Sequence, residues 1–259
     1  MGHVALRRFE KQNTPFPLGR HIQHDSRSRS FTFPVPATPV RHTTVLWPHS
    51  TPVLNQGDKS SCTGNAMVQL LNCDMFAQTR RLIKSLPEAD AATTPWLTEA
   101  DALKVYSLGT HYDGFGPSQY YPPNDDGGSG LGVAKAAQEL GFIDSYLHCY
   151  TFAQFQAAIQ TQPVIVGTSW TNPMFNPDPS TGLVTVGQLN DNTVVGGHEW
   201  AVLGIDYQRL CVVGLNSWGP GWGGGPGLSN GQFRVSFNDF QALLADDGDI
   251  VVPHAVGLS

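Results

Sequence analysis

The stretch Asn55-Gln56-Gly57-Asp58-Lys59-Ser60-Ser61-Cys62-Thr63-Gly64-Asn65-Ala66 decides how the rest of the chain is read. It sets a glutamine amide six positions before a thiol, with small and polar residues between them. An apolar run from Met67 to Leu82 begins directly afterwards. That is the pattern of a nucleophile at a helix N-terminus. The unpaired N–H groups and the dipole of a first helical turn favour an anion, which lowers a cysteine pKa and raises its thiolate fraction. Taken alone, Cys62 reads more readily as a small buried hydrophobe, the usual fate of an unpaired cysteine. Two later segments decide between these readings.

Upstream, Thr43 to Leu54 is extended and punctuated by Pro48 and Pro52, and it delivers the chain into the Gln56–Cys62 loop. Residues 1–42 are rich in Arg, His, Ser and Pro, with Ser26-Arg27-Ser28-Arg29-Ser30 ahead of Pro34, Pro36 and Pro39. They predict an N-terminal arm with little core of its own, either a solvated leader or a short pro-segment, before one domain over 43–259. Downstream, the run Met67 to Leu82 predicts a long central helix with Cys73 on its buried face. Thr98 and Asp101 form a capping box that opens a second helix through Leu108. A turn-rich stretch from Gly114 to Gly130 leads into a third helix, Leu131 to Leu140, ended by Gly141, and Phe152 to Ile159 is a fourth. The pattern then becomes that of strands: Pro163 to Ser169, Gly182 to Val186, His198 to Ile205, Leu210 to Leu215 and Gln232 to Ser236. A helical first half and a strand-rich second half predict an α+β protein with a cleft between two lobes.

Composition excludes several classes of function. The 259 residues carry a net charge of −6 and no basic stripe interleaved with aromatics, which argues against nucleic acid as a partner. No window approaches a membrane span and the start lacks a Sec-type apolar core, so the chain reads as soluble, and a monomer is assumed. Four scattered cysteines without CxxC spacing suggest neither a disulfide scaffold nor zinc, and no metal or organic cofactor is implied.

The chemistry is carried by two further segments. In Gly196-Gly197-His198-Glu199-Trp200, a histidine enters a strand behind two glycines that permit close approach of another backbone. Eighteen positions later, Asn216-Ser217-Trp218-Gly219-Pro220-Gly221-Trp222-Gly223 ends the next strand, where Asn216 can reach His198. Together with Gln56-Gly57 and Ser61-Cys62, these motifs resemble the papain-like cysteine peptidases. His198 and Asn216 lie 136 and 154 residues after Cys62, against the separation of about 130–150 usual in that family.

The resemblance implies a papain-like two-lobe fold, with the Cys62 helix in one lobe and a sheet bearing His198 and Asn216 in the other. It implies a cysteine endopeptidase acting on protein or peptide substrates. Cys62 would be the nucleophile, held by His198 as a thiolate–imidazolium pair, and Asn216 would orient the imidazole. Gln56 would share the oxyanion hole with the Cys62 N–H, and Trp218 would cover the His198–Asn216 bond. Gly127 and Gly128 would hydrogen-bond an extended peptide beside Gly197. Gly196 lies where relatives shape the pocket for the second residue before the scissile bond, leaving room for a large side chain.

The sequence also departs from the family pattern. Thr63 replaces an aromatic, and Lys59 replaces the cysteine whose disulfide usually braces the nucleophile loop, so that loop must be looser or held differently. Glu199 and Trp200 replace a small apolar pair. Alternation turns Glu199 away from the His198 face, the place of a structural partner rather than a catalytic group. The arm is too short for the usual inhibitory pro-domain, and the look is closer to bacterial or bacteriophage members. Two other readings stand beside the peptidase: a cell-wall amidase of similar Cys–His chemistry, and an inactive papain-like binding module. A transglutaminase-type enzyme would want an aspartate where Asn216 stands.

Overall fold

The computed structural model describes residues 3–35 and 43–257, so 36–42 of the predicted arm lie outside the described residues. Within the arm, β1 (Val4–Arg7) and β2 (Ile22–Asp25) pair antiparallel. A short β3 (Val45–Leu46) leads to four helices: α1 (Cys62–Leu71), α2 (Ala77–Lys84), α3 (Glu99–Tyr112) and α4 (Gly130–Glu139). The second half holds β4 (Ile143–Cys149), α5 (Phe152–Ile159), β5 (Val164–Thr171), β6 (Val194–Asp206), β7 (Cys211–Leu215), β8 (Gln232–Ser236), α6 (Phe237–Ala245) and β9 (Asp249–Ala255). Its antiparallel sheet runs β4-β9-β5-β6-β7-β8, with β3 added to β6.

Alternation along the strands splits the interior in two. Ile165, Ala201, Leu203 and Val251 join Met67, Leu70, Val105 and Val133 of the helices in one core. Their sequence neighbours Val164, Val166, Trp200, Val202, Ile250 and Val252 join Trp170, Trp218, Trp222, Phe233 and Phe240 in the other. The α+β, two-lobe expectation is met, with the sheet as the shared wall. No helix among the described residues is long and apolar enough to cross a membrane.

Local signals held where a side chain could satisfy a helix end. The Thr98 N–H donates to Asp101 Oδ2 at 2.8 Å to open α3. Gln154 and Thr151 cap α5 reciprocally, and Gly141, at φ +70°, follows α4. Three expectations need correction. The long helix from Met67 to Leu82 is two helices: α1 ends at its C-cap Asn72, whose side-chain amide pairs with Leu97 C=O and N–H, both at 2.9 Å. Asp74 then binds Ser50 and turns the chain. Residues 182–186 make only a single bridge, Leu183 to Arg234, because left-handed glycines at 182 and 187 (φ +73° and +71°) curtail the strand at both ends. The arm is not a solvated leader: its exposed Ser26–Phe31 turn fits that description, but residues 16–21 lie between the lobes.

Candidate active site

Cys62 is the first residue of α1 and is fully buried. Gln69, two turns further along α1, donates to the Asn216 carbonyl at 3.0 Å and accepts the Leu54 N–H at 3.1 Å. Helix α1 is thereby keyed to both loops around it. His198 Nε2 and Asn216 Oδ1 lie 2.7 Å apart. An amide oxygen accepts only, so Nε2 carries the proton and Nδ1, buried and without a partner, keeps its lone pair. Trp218 stacks on the imidazole with ring centroids 4.6 Å apart, and Trp170 meets it edge-on at 4.9 Å. The His198–Asn216 bond is thus walled in by indoles.

The Gln56 amide is aimed from behind. Ser217 Oγ donates to its Oε1 at 2.7 Å, which leaves Nε2 to donate to Lys59 O at 2.7 Å and to the Pro17 carbonyl at 3.3 Å. The main chains are zipped as well, Gln56 N–H to Ser217 O and Gly219 N–H to Leu54 O, each at 2.9 Å. No family model and no curated protein matches the sequence itself. Among solved structures, xylellain, a cysteine protease from Xylella fastidiosa, matches at TM-score 0.56 and 20% identity over 97% of this chain and 99% of its own. A structure from work on the mite allergens Blo t 1 and Der p 1 matches at TM-score 0.50 and 14% identity, over 87% of this chain and 77% of that one. The fold is papain-like.

The papain-like cleft is occupied by the chain's own arm. Phe16 stacks on Trp218 at 4.7 Å, the Pro17 carbonyl meets Gln56 Nε2, and Leu18 covers Gly196. The N–H groups of Gly19 and Arg20 donate to Gly197 O at 3.1 and 2.9 Å. On the opposite wall, Gly128 N–H donates to Gly19 O at 2.8 Å and His21 N–H to Gly128 O at 2.7 Å. The glycines of the cleft admit this backbone: a Cβ on Gly197 or Gly127 would lie 2.3 Å from the Arg20 or Gly19 carbonyl oxygen. Gly127 does less than its neighbour, since its N–H is spent on Tyr106 Oη at 3.0 Å. Gln56, Gly127, Gly128, Gly196, Gly197 and Trp218 therefore line one extended segment, whose Gly19 N–H faces Cys62.

Where the family's brace is missing, a carboxylate stands in. Asp125 accepts the Ser60 N–H at 3.0 Å and Tyr106 Oη–H at 3.1 Å, and its carbonyl accepts Ser60 Oγ–H at 3.1 Å. Sequence reasoning missed this residue, although Asp125-Asp126 within a turn-rich stretch was the available signal. It also missed Ser217, visible only as part of the Asn-Ser-Trp-Gly motif. Cys62, Cys73, Cys149 and Cys211 are all unpaired.

Burial dominates the electrostatics. Desolvation pushes the Cys62 thiol up to about 12, against the pull of the Glu199, Gly19 and Thr63 N–H groups that face it. It pushes His198 down to about 4, against the bond to Asn216. With the arm seated the pair is therefore neutral, and the expected thiolate–imidazolium pair is not formed, because no water reaches either charge. The arrangement offers a thiol, an imidazole with a free lone pair, an oriented amide donor and a main-chain track for a peptide.

Proposed function

We propose that this protein is a cysteine endopeptidase whose arm segment 16–21 covers the cleft until it is displaced or removed. The observation that carries this reading is the arm itself: a peptide lies extended past the nucleophile, main-chain bonded to both walls, with a carbonyl on Gln56. In the reaction, His198 Nδ1 takes the Cys62 proton and Sγ attacks the substrate carbonyl carbon. The oxyanion rests on Gln56 Nε2 and the Cys62 N–H. Collapse breaks the C–N bond as His198 protonates the leaving amine, leaving a thioester. Water then attacks, giving its proton to His198, and the carboxylic acid product departs as the thiol is restored. Asn216 and Trp218 hold the imidazole through both halves. The arm escapes this fate because the Gly19 N–H, rather than a carbonyl carbon, faces Sγ.

The test is alkylation by a peptidyl epoxide read by intact mass. The full chain should label slowly and Cys62→Ala not at all. Gly19→Ala should label fast, because a Cβ at that position would lie 1.9 Å from the Ser60 carbonyl oxygen and must eject the arm. A folded Gly19→Ala chain that neither labels nor cleaves peptides would refute the peptidase reading.

A further inference from the structure

One rung of the sheet is unlike the rest. Gly167 of β5 pairs with Glu199 of β6 on one side and with Asp249 of β9 on the other. Residues directly opposite across strands share a face, so two carboxylates flank a position without a side chain. The gap is necessary: a Cβ on Gly167 would lie 2.5 Å from Glu199 Oε2 and 2.7 Å from Asp249 Oδ1. Gly130, at the start of α4, makes room from the other lobe, where a Cβ would lie 2.7 Å from Asp249 Oδ2 and 2.8 Å from Glu199 Oε1. The result is a slot with acidic sides and glycine faces, opening beside Gly128.

Arg20 of the arm fills it and is fully buried. Its Nε donates to Asp249 Oδ1 at 3.1 Å, and its Nη2 donates to Asp247 O at 2.6 Å and to Asp249 Oδ1. The fit is incomplete, since Arg20 Nη1 and both Glu199 carboxylate oxygens are buried without hydrogen-bond partners. Burying a carboxylate is costly unless a cation and hydrogen bonds compensate. Here the cation acting on Glu199 comes from the arm, not from the body that built the slot. The slot has more acceptor capacity than its present occupant uses.

We infer that this slot is a recognition pocket for a cationic side chain, arginine or lysine, on the substrate residue that pairs with Gly128. The inference rests on the peptidase reading above. Gly19, which faces Cys62, precedes Arg20, and the arm pairs parallel with Gly128; a substrate running the opposite way would present to the slot the second residue before the bond to be broken. Arg20 is then the arm's imitation of a substrate side chain. A guanidinium satisfies the slot best because its planar fork can serve both carboxylates at once.

Two experiments on the full chain test this. In the Gly19→Ala chain, fluorogenic peptide amides varied at the second residue before the bond should be cleaved with kcat/KM at least about tenfold higher for Arg or Lys than for Leu or Phe. Replacing both Glu199→Gln and Asp249→Asn should lower the Arg-to-Leu ratio by about tenfold or more. In Arg20→Ala, whose slot stands empty, ethylguanidinium should raise the melting temperature by about 2 °C or more. Sodium chloride at equal ionic strength should not, nor should ethylguanidinium in the chain that also carries Asp249→Asn. Cleavage that favours Leu or Phe, or an Arg preference indifferent to the amide substitutions, overturns the pocket while leaving the peptidase intact. Absence of guanidinium rescue in folded Arg20→Ala also overturns it, whether or not Gly19→Ala folds. Absence of epoxide labelling at Cys62 instead brings down the peptidase reading, and the inference with it.

Discussion

His198 and Glu199 are consecutive on β6, equally buried, and on opposite faces of the strand. The imidazole sits among Trp170 and Trp218 with one bond to Asn216, and burial resolves its charge by removing the proton, which leaves a base ready for use. The carboxyl answers burial the opposite way, by favouring its protonated form. Burial and the nearby Asp249 hold its pKa well above the usual range, Arg20 opposes them, and neither oxygen has a hydrogen bond. The body of the protein preorganises the first residue completely and leaves the second to be completed by whatever enters the cleft. The proposed function and pocket put chemistry on one face of the strand and selectivity on the other.

The most severe break on the chemical face is His198→Ala, which should lower kcat by about 10⁴-fold or more in the Gly19→Ala chain. A loss below tenfold, measured by burst and steady-state kinetics, would remove His198 from the reaction. Gln56→Ala on the same face should lower kcat by about 10²–10³-fold, corresponding to about 3–4 kcal/mol for one oxyanion donor. An effect confined to KM would show that Gln56 binds substrate without stabilising charge. On the other face, Gly167→Ala puts a methyl among the carboxylates and should destabilise the seated arm by about 1–3 kcal/mol. Epoxide labelling of the otherwise unaltered chain should then accelerate about tenfold or more, and an unchanged rate would mean that Arg20 does not anchor the arm.

The last effect is one of pH and falls on His21, where the arm meets Gly128. Burial pushes this imidazole down to about 4, with Arg8 and Arg20 adding to the shift and the Asp126 carbonyl and carboxylate opposing it. Released into water, the ring returns to its ordinary value near 6.5. A group whose pKa is depressed in the seated state stabilises seating fully above the free value, and that stabilisation is lost as pH falls. The arm should therefore loosen between about pH 6.5 and 4, by at most about 1.4 kcal/mol per unit. The ratio of labelling rates, wild type over His21→Asn, taken pH by pH so that the titration of Cys62 cancels, should rise on acidification. A flat ratio would exclude His21 as the sensor.

The residues of the proposed catalytic face could be picked out because they lie in short motifs whose order survives without tertiary information: Gln56 before Cys62, two glycines before His198, Asn216 ahead of Ser217 and Trp218. Helices closed by their own side chains, at Thr98, Asp101 and Thr151, were equally readable or came out where the pattern placed them. The selective face was not. Glu199 and Asp249 are fifty positions apart in the sequence, and they meet only because β9 inserts between β4 and β5, a strand order that no local pattern encodes. Alternation turned Glu199 away from His198 correctly but could not supply its partner. The seating of the arm was hidden for the same reason. The bonds of Gly19 and His21 are to main chain more than a hundred residues away, and the Arg, Ser and Pro content around them reads as polar leader.

The Asp125 clasp on the nucleophile loop has a practical corollary. Cys62 must remain a thiol to act as a nucleophile, and the loop that presents it is tied by a carboxylate, two hydroxyls and a backbone N–H rather than by sulfur. A reductant strong enough to rescue an oxidised Cys62 finds nothing else in the loop to cleave. Reactivity of the thiol and integrity of its support are therefore independent of each other across redox potentials.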